Sequence, residues 1–384
     1  MTAPIVVNLK LKFSTVSPSV QRTYRHVPNL DYNSPRRNLT LFWKRDTTVR
    51  KFRMMPERQL VEKIARALPS GRRGPSRLRL GIGDDAAVLS PGGRTDWVLS
   101  CDTFLEGVHF RVKTHPPDSV GYKALARAVS DLAAMGATPR FFLLTLALPS
   151  SRIGPWLDAF LQGMDRAARE LGISAIGGDT TRSRAVFVSI TVLGEIAPSR
   201  ALTRSGARPG DIIYVSGKLG RAQLGLELVR RGHARNRQLR ALVQPHLYPR
   251  IRVELGSWLA RHRIARSAMD LSDGLSTDLA RLCAASKVGA KIYARRVPSV
   301  VIPAAVARKL SKRNLDPRQL ALHGGEDYEL LFTVSPRQAK KLSRAPGAAA
   351  ITPIGKITRN RHLILVAPDG REQRLQSQGW DPFR

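Results

Sequence analysis

From Pro56 onward the apolar positions of the chain switch repeatedly between two periods. In "PERQLVEKIARALP", Leu60, Ile64, Ala67 and Leu68 recur at helical spacing behind Pro56, which predicts a helix with one apolar stripe. "WVLSCDTFLEGVHF" reads as a strand that carries both Asp102 and His109. Residues 119–135 read as a helix with Ser119 as its N-cap, Gly136 at its end and Pro139 beyond. "FFLLTLAL", residues 141–148, is the longest apolar run, too short to cross a bilayer, and reads as a buried strand. Val186, Val188, Ile190 and Val192 alternate, as on a half-buried strand. After the Gly-, Pro- and Arg-rich "LTRSGARPGDIIYVSG", strand and helix alternate again. The class is α/β or α+β in two domains, 56–199 and 200–384.

Residues 1–55 show neither period. They hold eleven Lys/Arg against two Asp, with Pro and Ser scattered through them. The segment lacks the apolar stretch of a secretory signal. It reads as an unstructured extension, or as a start placed too early with Met54 or Met55 the real one, ahead of an Arg-rich targeting segment.

Composition changes the picture in two ways. Two cysteines, Cys101 and Cys283, stand far apart with no close Cys/His spacing, which argues against a zinc site or a disulfide framework and fits a reducing cytoplasm. The net charge of +35 raises nucleic acid as a partner, but the basic residues are spread along the chain and no DNA- or RNA-binding signature accompanies them. An Arg-rich lineage, or a preference for anionic small molecules, accounts for the charge as well.

Against that background the few acids fall into short turns rich in Gly, Ser and Thr: "GIGDD", "SCDTFLEGVHF", "SDLAAMGA", "IGGDTTRS", "DLSDGLSTD" and "HGGEDYE". Glycine beside a carboxylate lets the backbone approach a ligand closely. Carboxylate oxygens are the donors Mg²⁺ takes when it is shared with substrate phosphates, so the set suggests several metal ions around a polyphosphate. Each turn alone admits a plainer reading: Asp84 and Asp85 as turn residues, Asp102 as a cap, and Asp270 with Asp273 as an N-cap and first-turn acid. Asp131 is harder to dismiss. At about 100° per residue it lies roughly 60° from Ala128 and 40° from Met135, on the border of the face that buries Leu125, Ala128 and Leu132. A carboxylate there needs a cation, either an Arg or a metal. No GxGxxG or GxxxxGK[ST] loop is present, "YVSGKLG" is no nucleophile elbow, and the eight His stand singly.

Six of these segments in order, "GIGDDAAVL", "KALARAVSDLAAMGATP", "IGGDTTRS", "LTRSGARPGD", "DLSDGLSTDL" and "GGEDYELLF", closed by "GWDPF", resemble the thiamine-monophosphate kinases. That family sits in the superfamily of aminoimidazole ribonucleotide synthetase and selenophosphate synthetase. The resemblance runs from about residue 56 to the end. It implies a two-domain fold like that of aminoimidazole ribonucleotide synthetase, a homodimer formed through the N-terminal sheet, and ATP- and Mg²⁺-dependent phosphorylation of thiamine monophosphate. It implies metal ligands at Asp84, Asp85, Ser100, Asp102, Asp131, Asp179, Asp270 and Asp273. Nucleotide contacts would fall on Gly178, Asp179, Arg204 and Ser272, and substrate contacts on His109, Glu326 and Trp380. Cys101 stands where the family often has Thr, which puts a hydroxyl ligand there in doubt. No Cys precedes Gly81 and none ends the chain, which sets aside selenophosphate synthetases and relatives that carry a group on a C-terminal Cys. The rival from another class is a basic nucleic-acid-binding protein.

Such chemistry needs no general base. A phosphate monoester is mostly a dianion at pH 7, so the obstacle is the repulsion between two polyanions. Metal ions bridging the phosphates lower it and hold attacking and leaving oxygens in line. Arg204 would add positive charge, and Trp380 an aromatic face for a cationic ring.

Overall fold

The computed structural model describes residues 55–68, 77–310 and 315–383. The extension expected over 1–55 therefore lies, but for Met55, outside the described residues. The predicted first helix is α1 (Glu57–Ala67), entered from Pro56.

Two sheets organise the rest. The first contains β1 (Leu78–Leu80), β2 (Ala87–Leu89), β3 (Asp96–Leu105), β4 (Thr138–Leu148), β5 (Ser174–Arg182) and β6 (Phe187–Ile196), in the order β1-β2-β3-β6-β4-β5. Neighbours run antiparallel except β4 and β5. The second contains β7 (Ile212–Ser216), β8 (Ala265–Asp270), β9 (Gly289–Tyr293), β10 (Leu330–Val334), β11 (Ile351–Thr358), β12 (Leu363–Val366) and β13 (Glu372–Arg374), in the order β13-β12-β9-β11-β7-β10-β8. The apolar run "LLFTV" forms β10, buried at every position because it is flanked by β7 and β8 and covered on both faces.

Helix α2 (Pro117–Ala134) holds the two sheets to one core. Fourteen of its eighteen residues are buried, including Leu125, Ala128 and Leu132. It packs on β3 and β6 of the first sheet, and on β8 and α6 (Val253–Arg261) of the second half, the helices between being α3 (Pro155–Leu171), α4 (Arg221–Arg230) and α5 (Arg240–Leu247). The expected N-cap at Ser119 is displaced: the helix begins two residues earlier behind Pro116, and Ser119 Oγ donates back to the Pro116 carbonyl at 2.7 Å. Proline at the first helical positions needs no N–H partner, so the X-Pro-Pro start outcompetes a serine cap. The strand carrying Asp102 ends at Leu105, so His109 lies in the following turn and not on that strand, a second correction.

"FFLLTLAL" is a strand, β4, but apart from Ala147 it is buried on one face only. Phe142, Leu146 and Leu148 enter the core, whereas Leu143 is 41% exposed, because α2 and α3 cover the opposite face of the sheet. Edge strand β5 is exposed along its whole length. The contact between α2 and α3 is close enough to exclude a side chain: a Cβ on Gly121 would fall 1.9 Å from the Phe160 carbonyl oxygen. Gly121→Ala should therefore force the two helices apart and destabilise the protein by about 1–3 kcal/mol, read from the midpoint of urea unfolding.

Candidate active site

The site grows from the "GIGDD" turn between β1 and β2. Asp84 and Asp85 answer to one arginine. The backbone N–H of Arg204 donates to both Asp84 oxygens at 3.1 Å, and its guanidinium Nε and Nη2 donate to Asp85 Oδ1 at 3.0 and 2.5 Å. The other Asp85 oxygen, Oδ2, is buried without a hydrogen-bond partner.

Facing it are Asp131 from α2 and Asp270 at the end of β8. Each of the three carboxylates offers an oxygen within 4.8 Å of the others. Asp131 accepts from Ser100 Oγ, and Asp270 from Ser130 Oγ at 2.7 Å. Of the two cations open to Asp131, an arginine is ruled out: among the described residues no Lys or Arg forms an ion pair with Asp131 or Asp270. Burial first, then Asp270, Asp102 and Asp85, holds the Asp131 carboxyl far above its ordinary range. Burial and then Asp85 push Asp270 up to about 7 and Asp84 to about 6. Three hard donors, an orphan oxygen and uncompensated negative charge fit a divalent cation such as Mg²⁺.

Two further acids already have partners. Asp102 is gripped by Arg127, Nε to Oδ2 at 2.7 Å and Nη2 to Oδ1 at 3.0 Å. Asp273 lies in the turn before α7 (Leu275–Ser286), which resolves the two readings of "DLSDG": Asp270 ends a strand and Asp273 occupies a loop. The helix-capping role belongs instead to Asp278, whose Oδ2 accepts from the Asp273 and Gly274 N–H groups at 3.0 and 3.1 Å. Arg281 ties Asp273 and Asp278 to Glu57 of α1. Cys101 Sγ sits 3.4 Å from Ser189 Oγ, and it is Ser100 whose hydroxyl reaches the carboxylate cluster.

Apart from Ser130, Asp278 and Ser189, these groups line one cavity of about 1020 Å³, together with Ser272, His109, Glu326 and Trp380. His109 accepts the Leu105 N–H on Nδ1 at 3.0 Å, which leaves Nε2 as the protonated donor of a neutral ring. Burial, then Arg127, lowers its pKa to about 4. Glu326 is clamped between Lys123 Nζ at 2.8 Å and His246 Nδ1 at 3.3 Å. Although its burial disfavours the charge, Lys123 and His246 hold the carboxyl well below its usual range. His246 leads on to His115, Nε2 to Nε2 at 3.1 Å. Trp380, 49% exposed, stands at the rim, its backbone N–H donating to the Asp273 carbonyl. Gly379 is required there, since a Cβ would fall 1.9 Å from that same oxygen.

Two expected site residues lie elsewhere. Asp102, Ile190, Leu144 and Gly178 are successive partners across β3, β6, β4 and β5, which puts Gly178 three strand spacings away, about 14 Å. Asp179 is in register with Thr145, Ser189 and Thr103, so it points to the face opposite Asp102. Neither lines the cavity. Conversely Lys123, Arg127, Arg281, His246 and Glu57 were not anticipated. The spacing 123, 127, 131 is a polar stripe at i, i+4, i+8 on a helix otherwise buried, and could have pointed to the first two. His246 and Glu57 meet partners 80 or more residues away, whereas Arg281 has Asp278 three and Asp273 eight positions before it and only Glu57 far off in sequence.

The fold and this site define the class. The family model "AIR synthase related protein, N-terminal domain" matches residues 83–196, and its C-terminal counterpart residues 208–367. Within that class the chain belongs to the thiamine-monophosphate kinase family. It is 38% identical to the Escherichia coli thiamine-monophosphate kinase over 327 residues, covering 83% of this chain and 97% of the relative. The Synechococcus elongatus enzyme is 37% identical over 312 residues, 78% and 91% of the two chains. The solved complex of AaThiL with AMPPCP and TMP superposes with a TM-score of 0.73 at 30% identity, covering 86% of this chain and 99% of that one. The HypE-HypF complex, at 20% identity and a TM-score of 0.64, shares the fold.

Two outcomes follow from the electrostatics. Asp84 and Asp270, with Asp131, Asp278 and Asp327, titrate above an unfolded Asp and hold extra protons in the native state between about pH 4 and 7. These exceed the protons that His109, His115 and His246 give up. Stability without metal should therefore fall as pH rises from 5 to 8, and added Mg²⁺ should restore it, measured by thermal unfolding at both pH values. Lys123→Met leaves the Glu326 charge buried with one partner fewer. It should cost about 3–5 kcal/mol in urea unfolding, part of which Lys123→Met/Glu326→Gln recovers.

Proposed function

We propose that the chain transfers the γ-phosphoryl group of ATP to the phosphate of thiamine monophosphate, giving thiamine diphosphate, at the carboxylate cluster of Asp85, Asp131 and Asp270. The observation that carries this reading is the unpaired state of that cluster: three carboxylates converge in a cavity, one with an orphan buried oxygen, and none but Asp85 meets an arginine. Bound Mg²⁺ would neutralise the two reacting polyanions and align their oxygens. Asp84, Ser100, Asp102 and Asp273 would complete the cage, Asp102 and Asp273 with charges already shared by Arg127 and Arg281.

The chain's own residues then bind and orient. Arg204 spans Asp84 and Asp85 and faces the cavity, where its guanidinium can meet nucleotide phosphates beside Ser272. His109 presents a neutral N–H donor. Glu326 is kept anionic and retains lone pairs beyond those taken by Lys123 and His246, so it can accept from an amino group. Trp380 offers a ring face for an aromatic cation at the rim. A donor, an acceptor and an aromatic face suit a phosphate, an aminopyrimidine and a thiazolium.

The reading includes a homodimer. The first sheet has an uncovered face and a fully exposed edge strand, features that a second copy would bury. Gly178 and Asp179 lie on that edge, too far from their own cluster, so their part in nucleotide or metal binding would be played at the partner's site. The charge of +35 would favour a nucleic-acid partner, yet nothing in the cavity resembles a groove for a strand.

A coupled assay with ATP, Mg²⁺ and thiamine monophosphate should yield thiamine diphosphate, and absence of product at every Mg²⁺ concentration refutes the reading. Asp131→Asn should lower turnover by about a thousandfold, several kcal/mol of transition-state stabilisation, with unchanged circular dichroism. Mixing inactive Asp131→Asn and Asp179→Asn chains should restore activity, because one site of the mixed dimer is intact. Mixtures as dead as their components, in a dimer shown to exchange subunits, would return Asp179 to its own chain.

A further inference from the structure

A second cavity, of about 1080 Å³, lies behind the first. The two share the run Glu326–Glu329: Glu326 and Tyr328 line the carboxylate cavity, while Asp327 and Glu329 line the other. Helix α4 divides its sides in the same way, with Gln223, Leu226 and Arg230 toward the first cavity and Arg221 toward the second.

The charge of the second cavity is opposite to that of the first. Its lining holds eight Lys or Arg side chains against four Asp or Glu. All four acids are engaged. Asp327 accepts the Gly220 and Ala222 N–H groups, Glu329 is paired with Arg252, Asp118 accepts from Tyr248, and Glu170 accepts from Tyr122. Six of the cations, Lys218, Arg221, Arg235, Arg237, Arg240 and Arg250, form no ion pair with any acid among the described residues. Lys218 and Arg221 come from "YVSGKLGRAQLG", a segment whose Gln223 lines the carboxylate cavity while these two cations line only the second. Cations converging on a concave wall repel one another, and the low-dielectric wall focuses their field. An anion carrying several charges relieves that repulsion, and guanidinium forks match phosphate oxygens in pairs.

We infer that this cavity is a binding site for a small polyphosphate anion, separate from the carboxylate cluster. The volume suits a ligand of nucleotide size or smaller. The two sites require opposite conditions: without metal the carboxylate cavity repels anions, whereas the basic cavity attracts them.

That opposition supplies the test, which reads binding alone and so stands apart from any result on phosphoryl transfer. Inorganic tripolyphosphate is titrated calorimetrically into the full chain in Mg²⁺-free buffer with chelator. One saturable site is expected, weakened tenfold or more in Arg237→Glu/Arg240→Glu and changed less than twofold in Asp131→Asn. The exposed pair Arg359→Glu/Arg361→Glu, away from the cavity, removes as much charge and should change affinity less than twofold. An equal loss in that control would assign the binding to general basicity and overturn the proposal. Unchanged affinity in the Arg237/Arg240 variant would overturn it as well. Saturation by a single-stranded oligonucleotide at lower concentration than by tripolyphosphate would replace the small ligand with nucleic acid. Nucleoside triphosphate displacing tripolyphosphate, with the same loss in the Arg237/Arg240 variant, would support the site and identify its source of phosphate.

Discussion

Three carboxylates that have to share one small space govern this structure. Asp85, Asp131 and Asp270 come from a turn, a helix and a strand end, and their oxygens lie within 4.8 Å of one another. Like charges at that distance in a partly buried site cost several kcal/mol unless a proton or a cation intervenes. Their carboxyls consequently titrate high, and the folded chain in the absence of metal carries protons that metal would displace. The arrangement is destabilising by itself and makes sense as a site whose missing charge is provided by what it binds. Arg204, which satisfies Asp84 and one oxygen of Asp85, leaves the other oxygen free for that purpose.

Helix α2 makes the arrangement possible. It is pinned between the sheets along nearly its whole length, so the polar residues it carries cannot move away from each other or from their partners. Lys123, Arg127 and Asp131 stand on successive turns and meet Glu326, Asp102 and the carboxylate cluster respectively. Ser130, next in the chain, donates to Asp270 of the second sheet. One rigid helix thus sets the distance between the Glu326 and His109 end of the cavity and its carboxylate end. Rigid placement of charged groups in a low-dielectric pocket is how electrostatic catalysis avoids reorganisation during reaction.

Charge is segregated on either side of the Glu326–Glu329 run. Alternate residues of one short segment face a cavity dominated by acids and a cavity dominated by arginines. The overall +35 therefore conceals an acidic centre within a basic molecule. A basic exterior around that centre also draws anionic substrates toward it.

The order of the acidic turns, the helical stripe around Asp131 and the alternation of β6 were legible in the sequence because each depends on neighbours within a few positions. Local period and turn chemistry were enough to give the class, and the motifs in order were enough to give the family. Other features were settled by contacts between distant segments. The exposed face of β4 was decided by the position of α2 and α3 on the other side of the sheet, whereas the start of α2 was set locally, by Pro116 and Pro117 in competition with Ser119. Whether Asp131 meets an arginine or a metal was open in the sequence, since both satisfy the same local pattern. The tertiary structure sends Arg127 to Asp102 and Arg204 to Asp85, which leaves Asp131 without an arginine. The clamp on Glu326 joins residues 123, 246 and 326, and the remoteness of Asp179 follows from the strand order β3-β6-β4-β5. A charge pairs with what is near it in space, and Lys123 with Glu326, Arg204 with Asp85 and Arg281 with Glu57 are pairs more than a hundred residues apart.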